Sequence, residues 1–201
     1  MKMTRCRSHS LNNIHFVTTA TFKRLPIFKN EFACEIFLDV LEELRSAHKL
    51  KVAGYVLMPE HVHMLLNPLD VKIGVIMRKL KGKSGRLIVD WIKEQGRGAS
   101  LANLSIKHRT RRQDFAVWQK DYSSIDIYSA KFFGQKLTYI HRNPVEAGLC
   151  ADASDWKYSS YNVYLSHEPG EVPFEIDPHP FWNHLEIEEY FGNYDPETTS
   201  V

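Results

Sequence analysis

Apolar residues recur along this chain with strand spacing in some stretches and helix spacing in others. Residues 13–19 alternate in polarity, which predicts a strand. Asn30, a good N-cap residue, precedes apolar positions at helical spacing that continue to about residue 48. Residues 51–58 and 61–66 are typical of two strands joined by a tight turn. The first third of the chain is therefore predicted to form a strand, a helix and a hairpin.

The middle of the chain is predicted to hold a long second helix followed by a basic loop. Residues 73–94 carry apolar side chains at helical spacing. Gly82 and Gly85 weaken the middle of this helix, each by up to about 1 kcal/mol relative to alanine, so the pattern allows a break there. Residues 96–113 have no periodicity and are interpreted as a loop or an irregular hairpin.

Two short strand-like stretches, residues 115–118 and 124–128, precede a third predicted helix. Ser129 is an N-cap residue for a helix over residues 130–142. Pro144 is predicted to end this helix, because proline lacks an amide donor and disfavours helical geometry in the residue before it. The order strand, helix, strand, strand, helix, strand, helix indicates an α+β ferredoxin-like sandwich. In this fold an antiparallel sheet carries helices on one face, and here a C-terminal helix is added.

Composition suits one domain, but the charges are divided unevenly along it. The 201 residues include 26 Lys+Arg and 24 Asp+Glu and are 43% hydrophobic. Residues 72–112 contain twelve basic and two acidic residues, whereas residues 151–201 contain eleven acidic residues and one lysine. We predict one domain over residues 1–150 with an irregular acidic extension, residues 151–201, packed on it. The asymmetry fits either a polyanion-binding face or two solvated surfaces of opposite sign.

Several classes of protein are disfavoured by what the sequence lacks. No apolar run approaches the roughly 20 residues that a membrane span needs, and residues 1–10 are polar and basic without the apolar centre of a secretory signal. Cys6, Cys34 and Cys150 are widely separated and form no C-x-x-C pair, so neither a disulfide framework nor a thiolate zinc site is indicated. These features predict a cytoplasmic protein with no membrane partner.

The densest group of reactive side chains lies on the second strand of the predicted hairpin. His61 and His63 are two residues apart, so on a strand they share one face with Cα atoms about 6.6 Å apart. The apolar residues Val62 and Met64 lie on the opposite face. Two imidazoles can chelate one ion, but a third ligand must come from elsewhere. By itself, such a pair is more typical of a solvated or hydrogen-bonded face than of a metal site.

The third helix offers residues that could complete such a site. Tyr139 lies well away from the apolar stripe of the helix, and Asn143 follows it by one turn on a mostly polar face. The stripe consists of Phe133, Leu137 and Ile140. The amide oxygen of Asn143 could be the third ligand, or Asn143 could cap the turn that begins at Pro144. Tyr139 could hang beside the ion or be a surface aromatic residue.

Three motifs carry a resemblance to a known family. They are MPEHVHMLL at residues 58–66, YIHRNPVEAGL at residues 139–149 and WKYSSY at residues 156–161. In this order they resemble the single-tyrosine HUH transposases, in particular the REP-associated tyrosine transposases. The resemblance implies that His61 and His63 bind a divalent ion, Mg²⁺ or Mn²⁺, with Asn143 as the third ligand. It also implies that Tyr139 is the nucleophile and that residues 1–150 form the catalytic domain.

The activity implied is a metal-dependent cleavage and transfer of single-stranded DNA through a 5′-phosphotyrosine. The substrate implied is a hairpin formed by repeated palindromic DNA. An alternative is a regulatory protein of the same fold that binds DNA hairpins without cleaving them. A metal phosphoesterase without a covalent intermediate would leave Tyr139 without a role.

The basic stretch is the predicted DNA-binding surface. Clustered Lys and Arg side chains bind phosphates, and binding releases counterions from the nucleic acid. The residues assigned to this surface are Arg78, Lys79, Lys81, Lys83, Arg86, Lys107, Arg109, Arg111 and Arg112. A protein of this kind would associate with the nucleoid when bound to DNA. The sequence leaves open whether it acts as a monomer or as a homodimer.

Overall fold

The computed structural model of the protein describes residues 13–48, 50–106, 114–166, 176, 177 and 179. Four antiparallel strands form one sheet in the order β2-β3-β1-β4. The strands are β1 His15–Ala20, β2 Lys51–Met58, β3 His61–Asn67 and β4 Ser123–Asp126. The helices are α1 Glu31–His48, α2 Ile73–Glu94, α3 Gly98–Leu104, α4 Ala130–Glu146 and α5 Tyr161–Ser166. Strand order and direction confirm the α+β ferredoxin-like fold.

The sheet has a separate hydrophobic core on each face. On one face, Val17 and Met64 belong to the core that includes residues of α1 and α2. On the other face, Phe16 and Leu65 belong to the core that includes α4. The residues that α4 contributes are the predicted stripe Phe133, Leu137 and Ile140. Because successive residues of a strand point to opposite faces, the helix added after the fourth strand lies across the sheet from α1 and α2.

The two glycines of α2 do not break it. The helix runs without interruption from Ile73 to Glu94. At Gly85 an added Cβ would lie 3.3 Å from Cδ1 of Trp118, so the glycine lets the indole ring approach the helix. At Gly82 an added Cβ would meet no atom within 4 Å, so packing gives no reason for glycine there.

The region between α2 and β4 departs from the sequence prediction. Residues 98–104 form α3 instead of a loop, held in place by the buried side chain of Leu104. Residues 115–118 do not form a strand. They make isolated bridges instead, Phe115 with Ser105 and Trp118 with Thr21. The predicted loop residues 107–113 lie outside the described part of the chain.

The prediction that Pro144 ends the third predicted helix, which is α4 in the structure, was wrong. Ser129 caps α4 as expected, accepting a hydrogen bond from the Phe132 amide at 3.2 Å. The helix then continues through Pro144 to Glu146. Pro144 has no backbone N–H and therefore cannot donate the helical hydrogen bond at its own position. The carbonyl of Asn143 nevertheless accepts a hydrogen bond from the Ala147 amide at 3.0 Å, which continues the helix. Asn143 therefore lies inside the helix, and its alternative role as an N-cap is excluded.

The segment after α4 covers the outer edge of β2. The Leu57 amide donates to the carbonyl of Tyr158 at 2.9 Å, and the Ser160 amide donates to the carbonyl of Tyr55 at 3.0 Å. Most of the predicted acidic extension lies outside the described residues. Within the part that is described, no helix has the length and apolar character needed to cross a membrane.

Candidate active site

The hairpin between β2 and β3 positions the two histidines. In the pairing of β1 with β3, His61 lies opposite Ala20 and His63 lies opposite Thr18. The His63 side chain is buried and stacks on Phe16, with ring centroids 5.5 Å apart and an interplanar angle of 14°. The two imidazole centroids are 4.7 Å apart. The pair thus lies on the face of the sheet that α4 covers.

Tyr139 and Asn143 reach the same place from α4. The Tyr139 ring meets the His63 ring edge to face, with centroids 5.2 Å apart, and it lies 5.9 Å from the Phe16 ring. Burial lowers the pKa of the His61 imidazole, and the neighbouring Asn143 side chain opposes this effect. The structure therefore brings together the four residues that the sequence singled out, which come from two elements almost eighty positions apart.

Each imidazole is held through its Nδ1 atom. Nδ1 of His63 lies 2.8 Å from Oγ1 of Thr18, and Nδ1 of His61 lies 3.0 Å from Oε1 of Glu60. Nε2 of His63 is buried and has no hydrogen-bond partner among the described residues. A hydrogen bond at one ring nitrogen commonly fixes the orientation of a histidine that uses its other nitrogen as a metal ligand.

Glu60 is itself fixed by a tight turn that follows β1. Arg24 has a φ of 53°, in the left-handed region that non-glycine residues rarely adopt, and its Nη2 atom lies 2.9 Å from Oε1 of Glu60. Oγ1 of Thr21 donates to the carbonyl of Glu60 at 3.0 Å. Although burial opposes it, the neighbouring His61 and Arg24 lower the pKa of Glu60 below its ordinary value. An ionised Glu60 therefore accepts from both neighbours.

The electrostatics keep both histidines neutral. Burial, together with the nearby His61, Lys136 and Arg24, lowers the pKa of His63 to about 3. Burial also lowers the pKa of His61, against the opposing effect of Glu60. Neutral imidazole is the form that binds metal ions.

The donor set fits a divalent ion, provided that oxygen atoms complete it. The buried, unpartnered Nε2 of His63 supplies one position, and His61 and Asn143 lie beside it. In the described ranges, no group of three His, Cys, Asp or Glu side chains is placed to hold a metal. An ion here would therefore depend on an amide oxygen and on oxygen ligands from outside the protein.

The predicted DNA-binding residues of α2 divide into two kinds. The side chains of Arg78, Lys79 and Arg86 are exposed. Lys81 instead donates to the carbonyls of residues 120 and 121, at 3.1 and 3.0 Å, and burial lowers its pKa to about 8. Lys83 forms an ion pair with Glu43. The remaining four, Lys107, Arg109, Arg111 and Arg112, lie outside the described residues.

Several residues of the site were not assigned a role from the sequence. The Nζ atom of Lys136 lies 5.7 Å from the centroid of the Tyr139 ring. The sequence offered a signal for this residue, because Lys136 precedes Tyr139 by one helical turn and therefore shares its face of the helix. Glu60 is adjacent to His61 in sequence, which is a weaker local signal. Thr18 and Phe16 reach His63 through strand pairing and left no signal in the spacing of the motifs.

Comparison with known proteins identifies the family of the chain. The family model for IS200-like transposases matches residues 8–143. The chain therefore belongs to the IS200-like transposase family, and the resemblance seen in its motifs is confirmed.

Two solved structures are among those similar to the chain. One is a REP-associated tyrosine transposase bound to a REP hairpin, with 17% sequence identity, a TM-score of 0.61, and coverage of 90% of this chain and 95% of that one. The other is a crystal structure assigned to a transposase of Deinococcus radiodurans R1, with 22% identity, a TM-score of 0.42, and coverage of 71% and 97%. No curated protein sequence matches the chain.

Proposed function

We propose that this transposase-family protein cleaves and rejoins single-stranded DNA through a covalent link to Tyr139. The observation that carries the proposal is the position of the Tyr139 ring, 5.2 Å from the ring of His63 and on the same side of the sheet. Nε2 of His63, buried and without a hydrogen-bond partner in the described chain, supports a site that is built for an ion.

His61, His63 and Asn143 would hold a divalent ion, Mg²⁺ or Mn²⁺. Phosphate and water oxygens beside two imidazoles suit these ions. When bound, the ion would stabilise the negative charge that develops on the phosphate. Thr18 and Glu60 would keep both imidazole rings oriented through their Nδ1 atoms.

Tyr139 would act as the nucleophile. Its phenolic oxygen loses a proton and attacks the phosphorus, the bond from phosphorus to the 3′ oxygen breaks, and that oxygen leaves as a hydroxyl after gaining a proton. The product is a 5′-phosphotyrosine and a free 3′ end. Since the link retains a phosphodiester, a second 3′-hydroxyl can reverse the attack and join strands without ATP.

The substrate we propose is single-stranded DNA next to a hairpin. The structural neighbour with the same fold is described bound to a REP hairpin, which supports this class of DNA. The exposed basic residues of α2 lie across the sheet from Tyr139. A hairpin that touches both regions would have to pass around the edge of the sheet, and the residues of the basic loop would then hold it.

A cleavage assay tests the proposal. Labelled hairpins with randomised single-stranded flanks are incubated with Mg²⁺ and analysed on denaturing gels. We expect cleavage by the wild-type protein, no cleavage by Tyr139→Phe, and retained cleavage by the matched control Tyr161→Phe, whose ring contacts His141 away from the site. Binding of hairpins without any cleavage would instead support the regulatory alternative, and normal cleavage by Tyr139→Phe would exclude Tyr139 as the nucleophile.

A further inference from the structure

An exposed pair of aromatic rings lies at the start of α4. Tyr128 is 79% exposed, although tyrosine usually buries most of its ring. It stacks on Phe132 with centroids 5.0 Å apart and an interplanar angle of 22°. The stack occupies one face of the Tyr128 ring and leaves the other face toward solvent.

Lys136 lies between this aromatic pair and the candidate active site. Its Nζ atom lies 5.4 Å from the centroid of the Phe132 ring, 5.3 Å from that of Phe16 and 5.7 Å from that of Tyr139. Within the part of the chain that the structure describes, no carboxylate is paired with this ammonium group. Burial lowers its pKa, because partial loss of water disfavours the charged form. An anion bound beside Lys136 would stabilise the charged ammonium group and offset its partial loss of water.

These residues form one continuous row on a single face of the helix. Phe132, Lys136 and Tyr139 are spaced by four and three positions, so their side chains follow one another along α4. The rise of the helix puts about 10 Å between Phe132 and Tyr139. That length corresponds to about three nucleotides at the stacked spacing of about 3.4 Å.

We propose that Tyr128, Phe132 and Lys136 bind the unpaired nucleotides beside the scissile phosphate. A base would stack on the open face of Tyr128, and the ammonium group of Lys136 would bind a phosphate between that base and Tyr139. Aromatic platforms beside a cation are a recurrent way to bind single strands, since every base offers a flat face. This inference rests on the proposed function, because it takes Tyr139 as the point of attack.

The same rings also have a structural use, and the test must separate the two. Tyr128 directly precedes the N-cap residue Ser129, where an apolar side chain can fix the entry of the chain into a helix. A purely structural role predicts a change in thermal stability with no change in DNA affinity. A binding role predicts that affinity follows the presence of the ring.

The experiment measures binding of a fluorescein-labelled oligothymidylate by anisotropy at low salt. We expect Tyr128→Ala to weaken binding by about ten-fold or more, in line with the loss of one stacked base, and Tyr128→Phe to restore it. Lys136→Ala should weaken binding and reduce its salt dependence. Leu149→Ala is the matched control, because Leu149 is also exposed, at 40%, but lies beyond the end of α4.

Photo-cross-linking gives a second readout that does not depend on affinity. An oligonucleotide carrying 5-iodouracil in place of one thymine should cross-link to Tyr128 or Phe132, as identified by mass spectrometry of peptides. Unchanged affinity of Tyr128→Ala together with cross-links elsewhere would overturn this inference while leaving the proposed function intact. Failure of the wild-type protein to bind any single strand would overturn both.

Discussion

The two faces of the sheet are built from neighbouring residues of the same strands, yet they differ in chemistry. On the face beneath α1 and α2, Val62 and Met64 are completely buried among apolar side chains. Between them in sequence, His63 is buried on the other face, beside Tyr139 of α4. The first face provides stability through apolar burial, and the second places polar groups where water is largely excluded.

This division lets one short strand serve both purposes. Because the side-chain period of a strand is two residues, the residues of β3 can be changed on one face with little effect on the other. The comparison therefore predicts that substitutions one position apart will have different consequences.

Loss of a histidine should strongly reduce the rate of cleavage while leaving the protein folded. We expect His61→Ala and His63→Ala each to reduce the cleavage rate by about 10²-fold or more, since the charge on the phosphate is no longer stabilised. Asn143→Ala should have a smaller effect, because water can replace one oxygen ligand. Cleavage rates with and without EDTA check this, and wild-type cleavage that is unaffected by EDTA would contradict the metal site.

Truncation on the opposite face should act on stability instead. Met64→Ala removes a fully buried side chain, and we expect it to lower the free energy of unfolding by about 2–5 kcal/mol. The remaining folded protein should cleave DNA at a normal rate. Urea titrations measure the first effect, with the exposed Leu149→Ala as control. A loss of cleavage by fully folded Met64→Ala would mean that the faces are not independent.

Acid should lower the stability of the folded protein, because histidines on the α4 side of the sheet are buried in their neutral form. Burial lowers the pKa of His141 to about 3 and that of His179 to about 4. Below the ordinary value of 6.5 the unfolded chain takes up protons that the folded chain does not, so stability present above that pH is lost as pH falls toward 3. The urea midpoint should be lower at about pH 5 than at about pH 7.5, and His141→Gln should reduce the difference. An equal midpoint at both pH values would contradict this.

The smallest effect is expected from the basic loop. Replacing Arg109, Arg111 and Arg112 together should weaken binding to matched and mismatched hairpins alike. The slope of log affinity against log salt should flatten by roughly 0.7 to 0.9 for each phosphate that the variant no longer neutralises. Replacing the exposed pair Arg78 and Arg86 gives a comparison from the α2 side. An unchanged slope with intact affinity would mean that the loop charges face solvent or pair with the acidic extension.

Much of the site could be predicted because its signals are local. The strand alternation around His61 and His63 placed both on one face, and helical periodicity separated Tyr139 from the core stripe of α4. Each inference needs only the geometry of one element.

Other features depend on interactions between distant residues. Thr18 reaches His63 across 45 positions through the register of β1 and β3, which no spacing in the sequence reveals. Helix α3 has no side-chain cap and is too short to show periodicity. The prediction for Pro144 rested on the general tendency of proline to end a helix. In the structure, backbone hydrogen bonds on the C-terminal side of Pro144 continue the helix.

The most direct test of Tyr139 as the nucleophile is to locate the covalent link between protein and DNA. Wild-type protein is incubated with a cleavable hairpin, trapped by denaturation, digested with nuclease and trypsin, and examined by mass spectrometry. Trypsin should release residues 137–142, a peptide with Tyr139 as its single tyrosine. We expect a nucleotide phosphate attached to that peptide in the wild-type protein and none after Tyr139→Phe. An adduct on a different peptide, or cleavage with no protein adduct at all, would contradict this assignment.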